Sequence, residues 1–213
     1  MEKTKIILVR HGESIGNALG MYLGHTNLGL SEVGHKQARI TAEHLKNEKI
    51  DAIYSSDLLR AHDTAVPHAE LRGLRVIDTE GLREVNIGEW EGKLVADLKR
   101  DHYEDFVIKW QQGFGTFTFP GGDNVMAAAT RFYNEVLKIA RENQGATVLI
   151  TAHAAVIRAF WCMTCNIAPE NMAAAYPYPT NASYSTLYFD GEKFIPDVYS
   201  FDKHMTEYSE PIQ

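Results

Sequence analysis

Cysteine is nearly absent from this chain of 213 residues, which has only two, Cys162 and Cys165. They are spaced as Cys-x-x-Cys, the pattern of a redox pair or half a zinc site, but no second pair or His-x3-His completes four ligands. The segment Phe160-Trp161-Cys162-Met163-Thr164-Cys165 is apolar and cysteine is among the most buried residue types, so core packing is the expectation. A basic excess is also missing: 21 Lys and Arg against 28 Asp and Glu leave a formal charge of −7. That argues against nucleic acid or a membrane as partner, since either needs cations massed on one face. A small anionic ligand stays open, because a few arginines in a pocket outweigh a negative exterior locally. No apolar run approaches the roughly 20 residues of a spanning helix, and the stretch after Met1 is too short for a signal-peptide core. A soluble, cytoplasmic protein is therefore expected, and Asn181-Ala182-Ser183 reads as a coincidental glycosylation triplet. His-Glu-x-x-His is absent and the nine histidines form no obvious ligand pairs, which weakens metal-assisted hydrolysis. There is no internal repeat and no low-complexity linker. With 45% hydrophobic residues, one domain over residues 1–213 with an insertion is the expectation; oligomeric state is not legible.

What is present begins with Ile6-Ile7-Leu8-Val9, which reads as a strand buried on both faces, and which stops abruptly at Arg10-His11-Gly12-Glu13. A polar loop over 12–30 leads to Ser31 as an N-cap, with Ala38, Ala42 and Leu45 on one helical face. Residues 50–55 read as a second strand. Asp57 or Ser56 can cap a helix carrying Leu58, Ala61, Ala65 and Ala69, which should kink or end near Pro67. A weaker strand spans 75–78, and residues 81–92 have no clean period. Residues 93–121 hold helix-like pieces and the aromatics Tyr103, Phe106, Trp110, Phe114, Phe117 and Phe119, the best candidate for an insertion or lid. The plainer reading is that these rings pack onto the main core.

Asp123 can cap a long helix in which Val125, Ala129, Phe132, Val136 and Ile139 share one face, with Gly145 as the stop. A buried strand over 147–151 runs into Ala152-His153, and residues 154–164 are apolar nearly all round, as in a buried helix. Segments 186–189 and 194–198 flank Asp190-Gly191 as a hairpin. Alternating strand and helix favours a mainly parallel sheet with helices on both faces.

In such a sheet the carboxyl ends of the strands share one edge, where ligands bind. Arg10 and His11, Arg60, Glu84 and His153 all follow strands, so two arginines, two histidines and a carboxylate can converge there. Each alone reads as structural or solvated. Together they suit phosphoryl transfer. Guanidinium forks match phosphate oxygens, a neutral imidazole can attack phosphorus, and a carboxyl group can protonate the leaving alkoxide and then deprotonate water. No metal or cofactor is required by that set.

The same residues carry a family resemblance. Leu8-Val9-Arg10-His11-Gly12-Glu13-Ser14 with Asn17 resembles the signature of the histidine phosphatase (phosphoglycerate mutase-like, branch 1) superfamily. Ser55-Ser56-Asp57-Leu58-Leu59-Arg60-Ala61-His62-Asp63-Thr64-Ala65 resembles its second motif, and Leu82-Arg83-Glu84 with Gly88-Glu89-Trp90-Glu91-Gly92 its third. Ala152-His153-Ala154-Ala155-Val156-Ile157-Arg158 resembles the last. The resemblance implies an α/β fold, a three-layer α/β/α sandwich with a cap formed by roughly 93–121. It implies His11 as the phosphorylated nucleophile and Glu84 as the proton donor. Arg10, Arg60, His153, Asn17 and the backbone at Ala154 would hold the phosphate. The family usually has glycine at the position of Ala154 and glutamine at that of Asp63, but neither departure removes a reacting group. A metal-independent phosphomonoesterase is expected, taking a small phosphorylated metabolite and releasing inorganic phosphate. A mutase would use the same phosphohistidine, but the insertion is short beside those of family mutases. A non-catalytic phosphate binder would lack His11 or Glu84, and both are here.

Overall fold

In the computed structural model, which describes residues 2–207, six strands form one sheet: β1 (Thr4–Arg10), β2 (Ala52–Ser56), β3 (Val76–Thr79), β4 (Thr147–Ala152), β5 (Tyr184–Phe189) and β6 (Phe194–Phe201). Their order is β3-β2-β4-β1-β5-β6. The first four run parallel, while β5 and β6 are the antiparallel hairpin, closed by residues 190–193. β1 is paired at both edges, to β4 and β5, and its side chains are buried on both faces of the sheet. Ile6 and Leu8 enter one apolar cluster and Ile7 and Val9 another, which explains why a strand without polar alternation is stable here.

The helices are α1 (Ile15–Ala18), α2 (Glu32–His44), α3 (Leu59–Glu70), α4 (Val95–Asp101), α5 (Val125–Glu142), α6 (Ala154–Thr164), α7 (Met172–Ala175) and α8 (His204–Glu207). Ala65 and Ala69 of α3 and Leu45 just after α2 cover the Ile7/Val9 face. Phe132, Val136 and Ile139 of α5 with Val156 and Phe160 of α6 cover the Ile6/Leu8 face. The result is the three-layer arrangement expected from alternating elements. Cys162 is wholly buried in the larger cluster and Cys165 packs against it, as their apolar surroundings suggested. Among the described residues no helix is long and apolar enough to cross a membrane.

Two expected caps differ. Asn124, not Asp123, caps α5, accepting from the N–H groups of Met126 and Ala127, while Asp123 accepts the Asn86 N–H at 3.0 Å. At α3 the N-cap is Leu58; Ser56 Oγ accepts its N–H at 3.3 Å, and Asp57 is drawn away to clasp the Arg83 guanidinium. In both cases a long-range partner took the carboxylate that local pattern assigned to a cap. Pro67 sits inside α3, which ends at Glu70.

Residues 93–121 form α4, a wide-turned helix over Glu104–Gln112 and a short turn at Phe114–Thr116. Phe106, Trp110, Phe114, Phe117 and Phe119 are buried in the larger core cluster, while Tyr103 is exposed. The plain reading of these rings therefore holds, and they also stand over the carboxyl ends of the strands. The loop beneath them closes through glycine: Gly88 has φ +53°, and a Cβ there would lie 2.2 Å from the Pro120 carbonyl oxygen.

Candidate active site

The chain leaves β1 as Arg10-His11 and β4 as His153, which is the N-cap of α6. Arg60 lies in the first turn of α3, and Glu84 follows the turn Glu80–Leu82 after β3. Parallel pairing brings all four strand ends to one edge. There Arg10, His11, Asn17, Arg60, Glu84 and Ala154 line one cavity of about 340 Å³. His153 does not line it. It stands behind His11, their ring centroids 5.3 Å apart.

His11 is held in one tautomer. Its Nδ1 is 2.7 Å from the Gly12 carbonyl oxygen, which can only accept, so Nδ1 carries the proton and Nε2 keeps its lone pair. The Asn181 side-chain amide donates to the His11 carbonyl at 3.1 Å, and Gly12 N–H donates to Thr64 Oγ1 at 3.0 Å. Gly12 must be bare, since a Cβ would lie 2.6 Å from the Gly34 carbonyl oxygen at the start of α2. Burial first, then Arg60 and Arg10, push the His11 pKa well below its usual 6.5. Burial and Arg60 do the same to His153. Both rings are thus neutral at neutral pH.

A pH dependence follows. The acid limb of kcat/KM for the free enzyme should lie below pH 6.5, because His11 stays unprotonated there. Stability should run the other way. His68, buried in α3, is pushed down to about 3 by burial with Arg72 and His204 adding, so the unfolded chain binds protons that folded His11, His153 and His68 refuse. Stability is complete above pH 6.5 and falls as the pH drops below it, by up to about 1.4 kcal/mol per pH unit for each such histidine. Urea titrations at pH 7 and pH 5 read this out.

The arginines are fixed by carbonyls. Arg60 donates to Gly24 O at 2.7 Å and Thr26 O at 3.0 Å, and Arg10 donates to Pro179 O at 2.6 Å. Burial lowers each to about 10, which leaves both charged at neutral pH. Arg10 Nε and both ring nitrogens of His153 are buried and have no hydrogen-bond partner among the described residues. Unpaired buried polar groups cost about 1–3 kcal/mol each, so this corner is built for a polar ligand.

The carbonyls that hold Arg60 are themselves held by Glu91, whose carboxylate accepts from the N–H groups of Gly24, His25 and Thr26 and from the Thr26 hydroxyl. Burial works against its charge, but these bonds, led by the Thr26 hydroxyl, keep its pKa below the usual value. Replacing Glu91 by alanine should unlatch the loop, lower stability by about 2–3 kcal/mol and weaken phosphate binding through Arg60. Urea midpoints and inorganic-phosphate affinity measure the two effects separately.

Glu84 is held by backbone N–H groups. Its Oε1 accepts from Val85 N–H at 2.9 Å and Val156 N–H at 3.1 Å, and its Oε2 from Ala155 N–H at 3.0 Å. The carboxyl group therefore sits on the first turn of α6, directly after His153. Its own carbonyl accepts from His25 Nε2 at 2.8 Å and Arg131 Nη2 at 2.9 Å, which pins the backbone from both sides. Oε2, with a single donor, keeps a site for a proton.

Several supporting residues escaped sequence reading. Glu91 and Arg131 act across long separations, and Asn181 lay in a triplet dismissed as coincidence. Asn17 had a local signal: Ser14 and Asn17 form a capping box around α1, and its Oδ1 accepts from Ser14 N–H and from Asn181, which frees its NH2 group to donate.

A parallel sheet that delivers a tautomer-locked histidine between two arginines matches a known class. The sequence pattern of the histidine phosphatase superfamily (branch 1) matches residues 6–201, and the chain belongs to that family. Phosphoserine phosphatase 1 of Hydrogenobacter thermophilus is 31% identical over 205 residues, covering 96% of this chain and 95% of the relative. Metal-independent phosphoserine phosphatase of Arabidopsis thaliana is 33% identical over 211 residues, covering 96% and 84%. The solved structure of a mycobacterial glucosyl-3-phosphoglycerate phosphatase superposes with a TM-score of 0.86 at 28% identity, over 93% of this chain and 99% of that one.

Proposed function

We propose that the chain is a metal-independent phosphomonoesterase that hydrolyses a small phosphorylated metabolite through a phosphohistidine at His11. The observation that carries this is the His11–Gly12 bond, which leaves Nε2 unprotonated beside Arg10 and Arg60. The two guanidiniums, Asn17 and the backbone at Ala154 hold the phosphoryl oxygens, while His153 backs the His11 ring. Nε2 of His11 attacks phosphorus, the ester P–O bond breaks, and Glu84 gives its proton to the departing alkoxide. In the second half Glu84 takes a proton from water, the hydroxide attacks phosphorus, and the P–N bond breaks to release inorganic phosphate. Glu84 ends as it began. Charge on the equatorial oxygens is met throughout by Arg10 and Arg60, which are already fixed by carbonyls and need no reorganisation. Residues 93–121 act as the cap that encloses the alcohol part of the substrate.

The relatives named phosphoserine phosphatase and glucosyl-3-phosphoglycerate phosphatase support hydrolysis of a small ester. The test is phosphate release from a panel of small phosphomonoesters with chelator present. Chelator-resistant turnover is expected. Turnover that chelator abolishes and added divalent metal restores would overturn metal independence.

A further inference from the structure

The cavity has two unlike halves. Among the described residues that line it, Arg10 and Arg60 are the cations and Glu84 is the carboxyl group, and all three belong to the phosphate end. The other half is a wall of rings from Tyr22, Phe106, Trp110, Phe119 and Tyr178. The rings support one another: Trp110 lies 4.7 Å from Phe119 and Tyr22 meets Phe106 edge-on at 5.5 Å, centroid to centroid. Burial pushes the phenol pKa of both Tyr22 and Tyr178 upward, so the wall stays neutral.

A cation stands close by, but it is spent behind the wall. The Arg158 guanidinium carbon is 4.3 Å from the Tyr178 ring centroid and 4.4 Å from that of Phe114. Its N–H groups donate to the carbonyls of Tyr176 and Ala173 at 2.7 Å each, and it is not among the lining residues. It stacks on both rings and braces them.

Resting on the phosphatase reading above, we propose that the alcohol part of the substrate is an uncharged apolar or aromatic group seated against Trp110 and Phe106, and that esters whose alcohol carries a carboxylate are disfavoured. The phosphate dianion already occupies both free guanidiniums. A second anion would lose its water against rings that offer it no cation, and a buried unpaired charge is expensive. An apolar group meets the opposite situation, gaining from burial and ring contact. Phosphoserine and glucosyl-3-phosphoglycerate, for which relatives are named, both carry a carboxylate; this chain is inferred to have diverged from them in substrate.

The experiment compares kcat/KM for benzyl phosphate with O-phosphoserine and 3-phosphoglycerate, all alkyl esters, in the wild type, Trp110→Ala and Gln111→Arg. Gln111 is exposed and lines the same cavity, so the arginine supplies the missing cation without touching the core. The wild type is expected to prefer benzyl phosphate by at least about ten-fold. Trp110→Ala should reduce that preference, and Gln111→Arg should narrow it by raising the two carboxylated esters. Equal or faster turnover of phosphoserine or 3-phosphoglycerate by the wild type would overturn the inference and leave the phosphatase reading standing. A preference that neither variant changes would overturn its assignment to this wall. If no ester turned over while inorganic phosphate still bound, the phosphatase reading would fail and the inference with it.

Discussion

Replacing His11 by alanine should lower kcat by at least about 10⁴-fold while leaving inorganic phosphate bound within roughly ten-fold of wild-type affinity. The two halves of that expectation come from different atoms. Phosphorus loses its nucleophile when Nε2 is removed, and no other neutral ring is available, because His153 lies behind His11 and does not line the cavity. Phosphate keeps its ligands, because Arg10 and Arg60 are anchored to Pro179, Gly24 and Thr26 and do not depend on the imidazole. Single-turnover release and phosphate titration, on the same preparation, separate chemistry from binding. A loss of both together would place His11 among the binding groups.

The second large effect is expected at Glu84. Glu84→Gln removes the transferable proton and should cost about 10²–10⁴ in kcat for esters of ordinary alcohols. The loss should shrink to less than about ten-fold for nitrophenyl esters, whose leaving group departs at neutral pH without a proton. That contrast distinguishes proton donation from mere support of the loop. Some destabilisation accompanies the change. The wild-type carboxyl oxygens accept three N–H groups, from Val85, Ala155 and Val156, and an amide must turn its own NH2 toward one of them. One bond is lost, about 1–3 kcal/mol, equally for every substrate, and so it cannot mimic a leaving-group dependence.

The site was legible in the sequence to the extent that it depends on strand ends. Four apolar residues followed by Arg-His-Gly can be read locally, and a parallel sheet then places Arg60, Glu84 and His153 beside them. The supports were not legible, because they are built from separations no local pattern covers. Glu91 reaches back 65 residues to Thr26 in order to hold Arg60, and Arg131 crosses 47 residues to the Glu84 carbonyl. The two displaced caps have the same origin: Asp57 and Asp123 had local roles available but were taken by Arg83 and the Asn86 N–H. The aromatics of 93–121 were visible as a group, whereas their double service as core and cavity wall depends on how the wide-turned helix Glu104–Gln112 lies over the strand ends.

The proposed chemistry turns on a covalent phosphoryl group on His11. The most direct measurement is rapid acid-free quench of a single turnover with phosphorus-labelled ester and chelator present, followed by peptide mapping. The expected label is stable to alkali, labile to acid, and confined to the peptide containing His11. A full burst of product with no labelled protein at any quench time would contradict it.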